Sequence, residues 1–175
     1  MSTREAHLVD LLDDTGASIG STTVETAHLA PGQLHRAFSV ILTDPNGRIL
    51  LQRRARSKTR FAGRWANACC GHPPPDVPVT DAATVRMREE LGAAPVQLEE
   101  LGVYVYRAAD EATGRVEHEY DHVLLGVVPS DVVLLPDPQE VDAVRWVARD
   151  DLLAALAESA DDYSPWLAGV IALLP

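Results

Sequence analysis

Three histidines and a pair of carboxylates carry the strongest hint of metal chemistry in this chain. His28, His35 and His72 come from three separate segments, and Glu117-His118-Glu119 lies in a β-rich stretch. Side chains alternate along a strand, so Glu117 and Glu119 project to the same face. Three imidazoles and two carboxylates converging on one cavity suit a first-row divalent ion, which takes mixed N/O ligands. Spacing alone leaves each histidine open to an ordinary hydrogen-bonded role. It leaves the two glutamates open to a solvated strand face continued by Asp121.

Two further groups have reactive potential. Cys70 precedes a tight Gly71-His72-Pro73 turn. A thiol presented there can serve as nucleophile, base or proton donor, or be a buried structural cysteine. Cys69 points the opposite way along the strand and reads as structural. Arg86 and Glu90 lie one helical turn apart on one face. They read either as a surface ion pair or as a carboxylate for magnesium beside a cation for phosphate.

Composition bounds the partner. The 175 residues carry 15 Lys and Arg against 26 Asp and Glu, a formal net charge of −11. Such a surface excludes broad nucleic-acid binding, which needs clustered cations. Only Lys58 is a lysine, and it sits in a basic cluster between Arg48 and Arg64. A local basic patch in an acidic chain implies a small anionic ligand. The acidic N-terminus has no apolar targeting core, and the apolar run 166–175 is too short to span a bilayer. Adjacent cysteines make a strained bridge, so free thiols and a cytoplasmic setting are expected.

The elements that must position these groups follow from periodicity and turn chemistry. Strands are predicted over 7–12, 18–24, 36–43, 48–53, 65–70, 98–107, 116–128 and 141–148. Asp44-Pro45-Asn46-Gly47 closes a hairpin. A helix is predicted over 81–91, with Thr80 as its N-cap and Gly92 as its C-terminal stop. Two more helices are predicted over 150–158 and 165–174, the last opened by Ser164-Pro165. Residues 129–138 read as a surface loop. The expectation is one α+β domain over 1–175, mixed sheets flanked by helices.

Gly71 to Gly92 has the length of a Nudix box, with Glu89 and Glu90 in register. Val77, Val85 and Arg86 stand where a Nudix hydrolase has acidic and basic residues, so the hydrolytic box is broken. With that box go His28, Leu34-His35-x-Ala37-Phe38-Ser39, Arg53-Arg54-Ala55-x-Ser57-Lys58, Gly63-x-Trp65-x-Asn67, Cys69-Cys70-Gly71-His72-Pro73, Tyr106-Arg107-Ala108 and Ser164-Pro165-Trp166. In this order the pieces span about nine tenths of the chain. They resemble the type 1 isopentenyl-diphosphate Δ-isomerases, the isomerase branch of the Nudix superfamily.

The resemblance implies a Nudix-like fold and a proton shift on a prenyl diphosphate through a tertiary carbocation. It implies Cys70 and Glu119 as the opposed acid–base pair, Tyr106 beside Glu119, and Trp166 as the π face toward the cation. It implies a divalent ion (Mn²⁺, Zn²⁺ or Mg²⁺) on His28, His35, His72, Glu117 and Glu119. It implies a Mg²⁺ bridging the diphosphate to Glu90, with Arg54, Lys58 and Arg86 on the phosphate oxygens. A small-molecule substrate, no nucleic acid, no membrane, and a monomer or weak dimer are expected. The family has a Lys shortly before its first metal histidine, whereas residues 22–27 here read Thr-Thr-Val-Glu-Thr-Ala. Either weaker diphosphate binding than is typical of the family, or a compensating arginine from Arg56, Arg60 or Arg64, is expected.

Overall fold

The computed structural model describes residues 3–175. A 3₁₀ turn over Thr3–Ala6 leads to β1 (Leu8–Leu12) and β2 (Ser18–Thr23), an antiparallel hairpin. The one-turn α1 (Val24–Ala27) is capped by the Thr23 hydroxyl. Then come β3 (His35–Thr43), β4 (Ile49–Arg54), β5 (Trp65–Ala66) and β6 (Cys69–Gly71). Helix α2 (Val79–Leu91) precedes the long hairpin of β7 (Leu98–Asp110) and β8 (Arg115–Val127). The chain ends with β9 (Val141–Val147), α3 (Arg149–Glu158) and α4 (Leu167–Ala172).

Strand β3 is central. It runs parallel to β8 from His35 opposite Glu119 to Thr43 opposite Val127. It runs antiparallel to β6, with Ser39 opposite Cys70. Strand β4 carries β9 and β5 on its two edges. Alternation then divides the core. Phe38, Val40 and Leu42 pack with Ala83, Met87 and Leu91 of α2. Ile41, Ile49 and Leu51 pack with Leu152 of α3 and with Leu167 and Val170 of α4. Helices cover both faces, which is why 40–42 and 49–51 read as continuous apolar runs rather than as an alternating pattern. Each large aliphatic side chain buried this way contributes about 1.5–3 kcal/mol.

The α+β expectation holds, strand ends shift by one to three residues, and three larger differences have a physical reason. The strand predicted over 65–70 is two strands on different partners, because the chain steps from β4 to β3 at Asn67 and Ala68. Helix α2 begins at Val79, so Thr80 is inside it and makes no cap. Helix α4 is shorter than predicted, and the Ser164 hydroxyl is buried without a hydrogen bond instead of capping it. Tyr163 and Ser164 lie against β5, with Tyr163 extended beside Trp65 and the Ser164 N–H donating to the Trp65 carbonyl at 2.8 Å. Gly92 ends α2 as expected, in the left-handed region at φ +60°. The loop 129–138 holds this helix end, with the Leu135 and Asp137 N–H groups on the carbonyls of Leu91 and Glu90.

One close approach ties α4 to the rest. A Cβ on Gly169 would lie 2.1 Å from the Tyr104 ring, and Tyr104 stacks on Tyr106 at 5.4 Å and 13°. Gly169→Ala is expected to lower stability by about 1–3 kcal/mol through overpacking. Denaturant unfolding checks this, and an unchanged midpoint would mean that α4 can slide off the ring.

Candidate active site

The same alternation collects the chemistry. His35 and Ser39 of β3, Glu117, Glu119 and Asp121 of β8, and Cys70 and His72 at the end of β6 share one face of the sheet. A cavity of about 600 Å³ opens there, lined by Cys70, His72, Tyr106, Glu117, Glu119 and Trp166 and by the cations Lys58 and Arg86, with Arg54 lying over the Trp166 ring. His28, His35 and Glu90 are buried and do not line it.

His28, His35, His72, Glu117 and Glu119 each offer one ligand atom, all within 4.8 Å of one another. Ligands across a first-row ion stand about 4 Å apart, so the group is close to the size of a coordination sphere. The histidines are set for the role. His28 Nδ1 lies 2.6 Å from the Val24 carbonyl and His35 Nδ1 lies 2.8 Å from the Gln33 carbonyl. An Nδ1–H donating to a carbonyl leaves the Nε2 lone pair free. His35 Nε2 is buried with no hydrogen-bond partner, an orphan that a metal bond explains. Burial pushes the His72 imidazole down to about 4, so it stays neutral. Burial also opposes charge on Glu119, yet His35 and His72 hold its carboxyl well below the usual range. The donor set fits a divalent ion.

Glu119 also accepts the Tyr106 hydroxyl at 2.7 Å. Cys70 faces this pair from β6. Burial, reinforced by Asp121, pushes its thiol up to about 12, so it carries its proton. Cys69 turns into the opposite core beneath α2, as alternation requires. The Trp166 ring is boxed by the Phe61 edge at 5.5 Å, the Tyr106 ring at 5.9 Å and the Arg54 guanidinium at 5.4 Å.

At the cationic end, Lys58 and Arg86 each bridge Glu90 and Glu140. Burial opposes charge on Glu90, but Lys58 and Arg86 bring its carboxyl down to about 2. Arg86 Nη1 and the neighbouring Gln52 Oε1 are buried without hydrogen-bond partners. Arg54 is turned partly aside, donating from Nε and Nη2 to the Arg60 carbonyl.

The NUDIX domain family model matches residues 33–167. An isopentenyl-diphosphate Delta-isomerase of Nocardia farcinica is 54% identical over 163 residues, covering 93% of this chain and 91% of that protein. One of Streptomyces coelicolor is 43% identical, covering 97% and 84%. The chain belongs to the isopentenyl-diphosphate Delta-isomerase family. The crystal structure of DR0079 from Deinococcus radiodurans shares the fold, with a TM-score of 0.76 at 18% identity over 95% of this chain and 98% of that one.

For a member of this family, the cation expected among Arg56, Arg60 and Arg64 is misplaced. Arg56 and Arg64 do not line the cavity. Arg60 does, but it bonds Glu117 at 3.0 Å and Glu5 at 3.1 Å, so its charge is spent on those carboxylates. Arg4 lines the cavity from the N-terminal turn and pairs with Glu89 and Glu140. Sequence reasoning missed Arg4 and Glu140, and it quoted Ser39 and Asn67 only as pieces of the resemblance with no role, because nothing in their spacing signals contacts made across the fold. Val77 and Val85 also line the cavity and bring it no carboxylate.

Removing one ligand tests the metal group. His35→Ala is expected to lose about one divalent ion per chain by elemental analysis. Its melting temperature is expected to fall, because the ligands join distant segments. Retained stoichiometric metal would take His35 out of the set.

Proposed function

We propose that the chain isomerises isopentenyl diphosphate to dimethylallyl diphosphate. The observation that supports this best is a protonated thiol and a Tyr106-supported carboxylate in one cavity, beside an indole ring and a cluster of cations. Hydrolysis needs neither the thiol nor the indole. An alkene proton shift needs a proton donor, a proton acceptor and a surface that tolerates a cation, and these groups are of those kinds.

The diphosphate is held by Lys58 and Arg86, with Arg54 behind them. Arg86 Nη1 is buried and makes no hydrogen bond, only a 3.7 Å ion pair with Glu89, so it has a donor to offer a phosphate oxygen. Glu90 would hold Mg²⁺, which takes oxygen ligands and phosphate together, only once Lys58 and Arg86 leave its carboxylate for the phosphate oxygens, because both bond it in the structure. His28, His35, His72, Glu117 and Glu119 would hold one further ion, Mn²⁺, Zn²⁺ or Mg²⁺. When bound it ties the segments together and lowers the basicity of Glu119. The hydrocarbon end lies between Cys70 and Glu119. One group gives a proton to the terminal methylene, and the tertiary carbon becomes cationic. The other takes a proton from the adjacent carbon, and that C–H electron pair closes the new double bond. The Tyr106 hydroxyl helps deliver the proton on the Glu119 side. The Trp166 face stabilises the cation between them by about 0.5–2 kcal/mol or more once water is excluded.

The substrate is a small molecule, and we read the protein as a monomer or weak dimer. The thiols of Cys69 and Cys70 are free, in keeping with a reducing cytoplasm. None of the described helices is long and apolar enough to cross a membrane.

Incubation with isopentenyl diphosphate and Mg²⁺ in deuterated water, followed by NMR, should give the deuterated allylic isomer and no free phosphate. Phosphate release without the isomer would assign a hydrolase. Cys70→Ala should abolish turnover with fold and metal intact, because Cys70 is not a ligand. Cys69→Ala should turn over normally and lose no more than about 1 kcal/mol of stability. Near-normal turnover by Cys70→Ala would sink the acid–base pair.

A further inference from the structure

We propose that Asn67 is a positioning residue that locks the Cys70 thiol and the Trp166 indole to one another, an inference that rests on the isomerase reading above. Asn67 is fully buried at the step between β5 and β6. Its two amide hydrogens are committed to backbone, with Nδ2 donating to the Val40 carbonyl at 3.1 Å and the Cys69 carbonyl at 2.8 Å. These bonds fix which way the carboxamide faces. Its oxygen must therefore point to the other side, toward the cavity wall. There Oδ1 accepts the Trp166 Nε1–H at 3.0 Å and the Cys70 S–H at 3.3 Å. All four hydrogen-bonding sites of the side chain are filled.

A single oxygen thus ties a residue three positions along the chain to one 99 positions away. A buried indole N–H needs an acceptor, and a ring held by that bond cannot turn about its own axis. The direction of the S–H and the plane of the π face are both set from Oδ1. Protonation and cation stabilisation must act on adjacent carbons of a five-carbon chain, so this shared reference matters to the chemical step. Asn67 itself makes no contact with Lys58 or Arg86, the cations read as holding the diphosphate. The Nδ2 side keeps the strand step, and the Oδ1 side orients the reactive groups.

The two sides give different readouts. Asn67→Ala should lower kcat about 10²-fold, the scale of an ångström-level misplacement, and leave KM within about twofold. Trp166→Phe keeps a ring but removes the N–H, and leaves the Nδ2 bonds alone. Combined, the two substitutions should cost little more than the worse one. Multiplied losses, or a KM that rises with kcat unchanged, would overturn the proposal. A second measurement covers the case in which Asn67→Ala does not fold. In ¹⁵N-labelled wild-type protein, the Trp166 indole N–H should resist solvent exchange, and its shift should move in folded Cys70→Ala, because the acceptor is shared. Fast exchange, or no movement, overturns the link without reference to turnover. If wild-type protein makes no allylic product, the isomerase reading falls and the positioning role with it. A normal wild-type rate with normal kcat in Asn67→Ala removes the positioning role alone.

Discussion

Glu117, Glu119 and Asp121 stand in a row on one face of β8, and each is less than a tenth exposed. A carboxylate taken out of water without a partner costs several kcal/mol, so each must be ionised against a cation or kept neutral. The fold uses both answers. Glu117 is bracketed by His28 at 2.7 Å and Arg60 at 3.0 Å. Glu119 takes His72 at 2.9 Å and the Tyr106 hydroxyl at 2.7 Å, with His35 at 3.7 Å. Among the described residues Asp121 has no cation beside it; burial and its neighbour Glu119 push its carboxyl well above the usual range, and Ser39 donates to it at 2.7 Å. Removing one member of a buried charged pair costs about 3–5 kcal/mol. That scale is large enough to recruit α1, β3, β6, β7 and the 55–64 loop around one strand.

The parallel register of β3 and β8 makes the row usable. His35 lies opposite Glu119, and every second residue on each strand then faces the same space. A slip of one residue would send the whole row into the apolar core beneath α2. The adjacent cysteines show the same rule on a smaller scale. Cys69 packs in one core and Cys70 against the other, so two neighbouring thiols live in unrelated surroundings.

Much of this was legible because it obeys period two. Glu117 with Glu119, Cys70 opposed to Cys69, and the separate origins of His28, His35 and His72 could be read from types and spacing, and the structure brings them together. What could not be read depends on contacts between segments far apart in sequence. Arg60 looked like a free cation and is engaged by Glu117 and Glu5. Glu140 stands in a loop with no periodicity, and Arg4 reaches the cavity only because the Thr3–Ala6 turn folds over it. The split of 65–70 was invisible for a related reason. Six residues of strand-like composition do not say that Asn67 is worth more as a buried bridge than as a ladder residue.

The helix that carries Glu89, Glu90 and Gly92 explains how one scaffold separates two chemistries. In the hydrolytic version of this box, carboxylates gather on α2 beside the phosphates, where metal-activated water attacks. Here the corresponding positions are Val77, Val85 and Arg86. Arg86 and Lys58 bridge Glu90 and Glu140, so negative charge at that end is compensated before any diphosphate enters. The Glu119 carboxylate sits instead on β8, among the imidazoles and against Tyr106. A group that exchanges a proton with carbon must lie beside the hydrocarbon, and one that activates water against phosphorus must lie beside the phosphate. On the isomerase reading proposed above, placing the working carboxylate on the strand rather than the helix decides which end of a prenyl diphosphate reacts, with the fold unchanged.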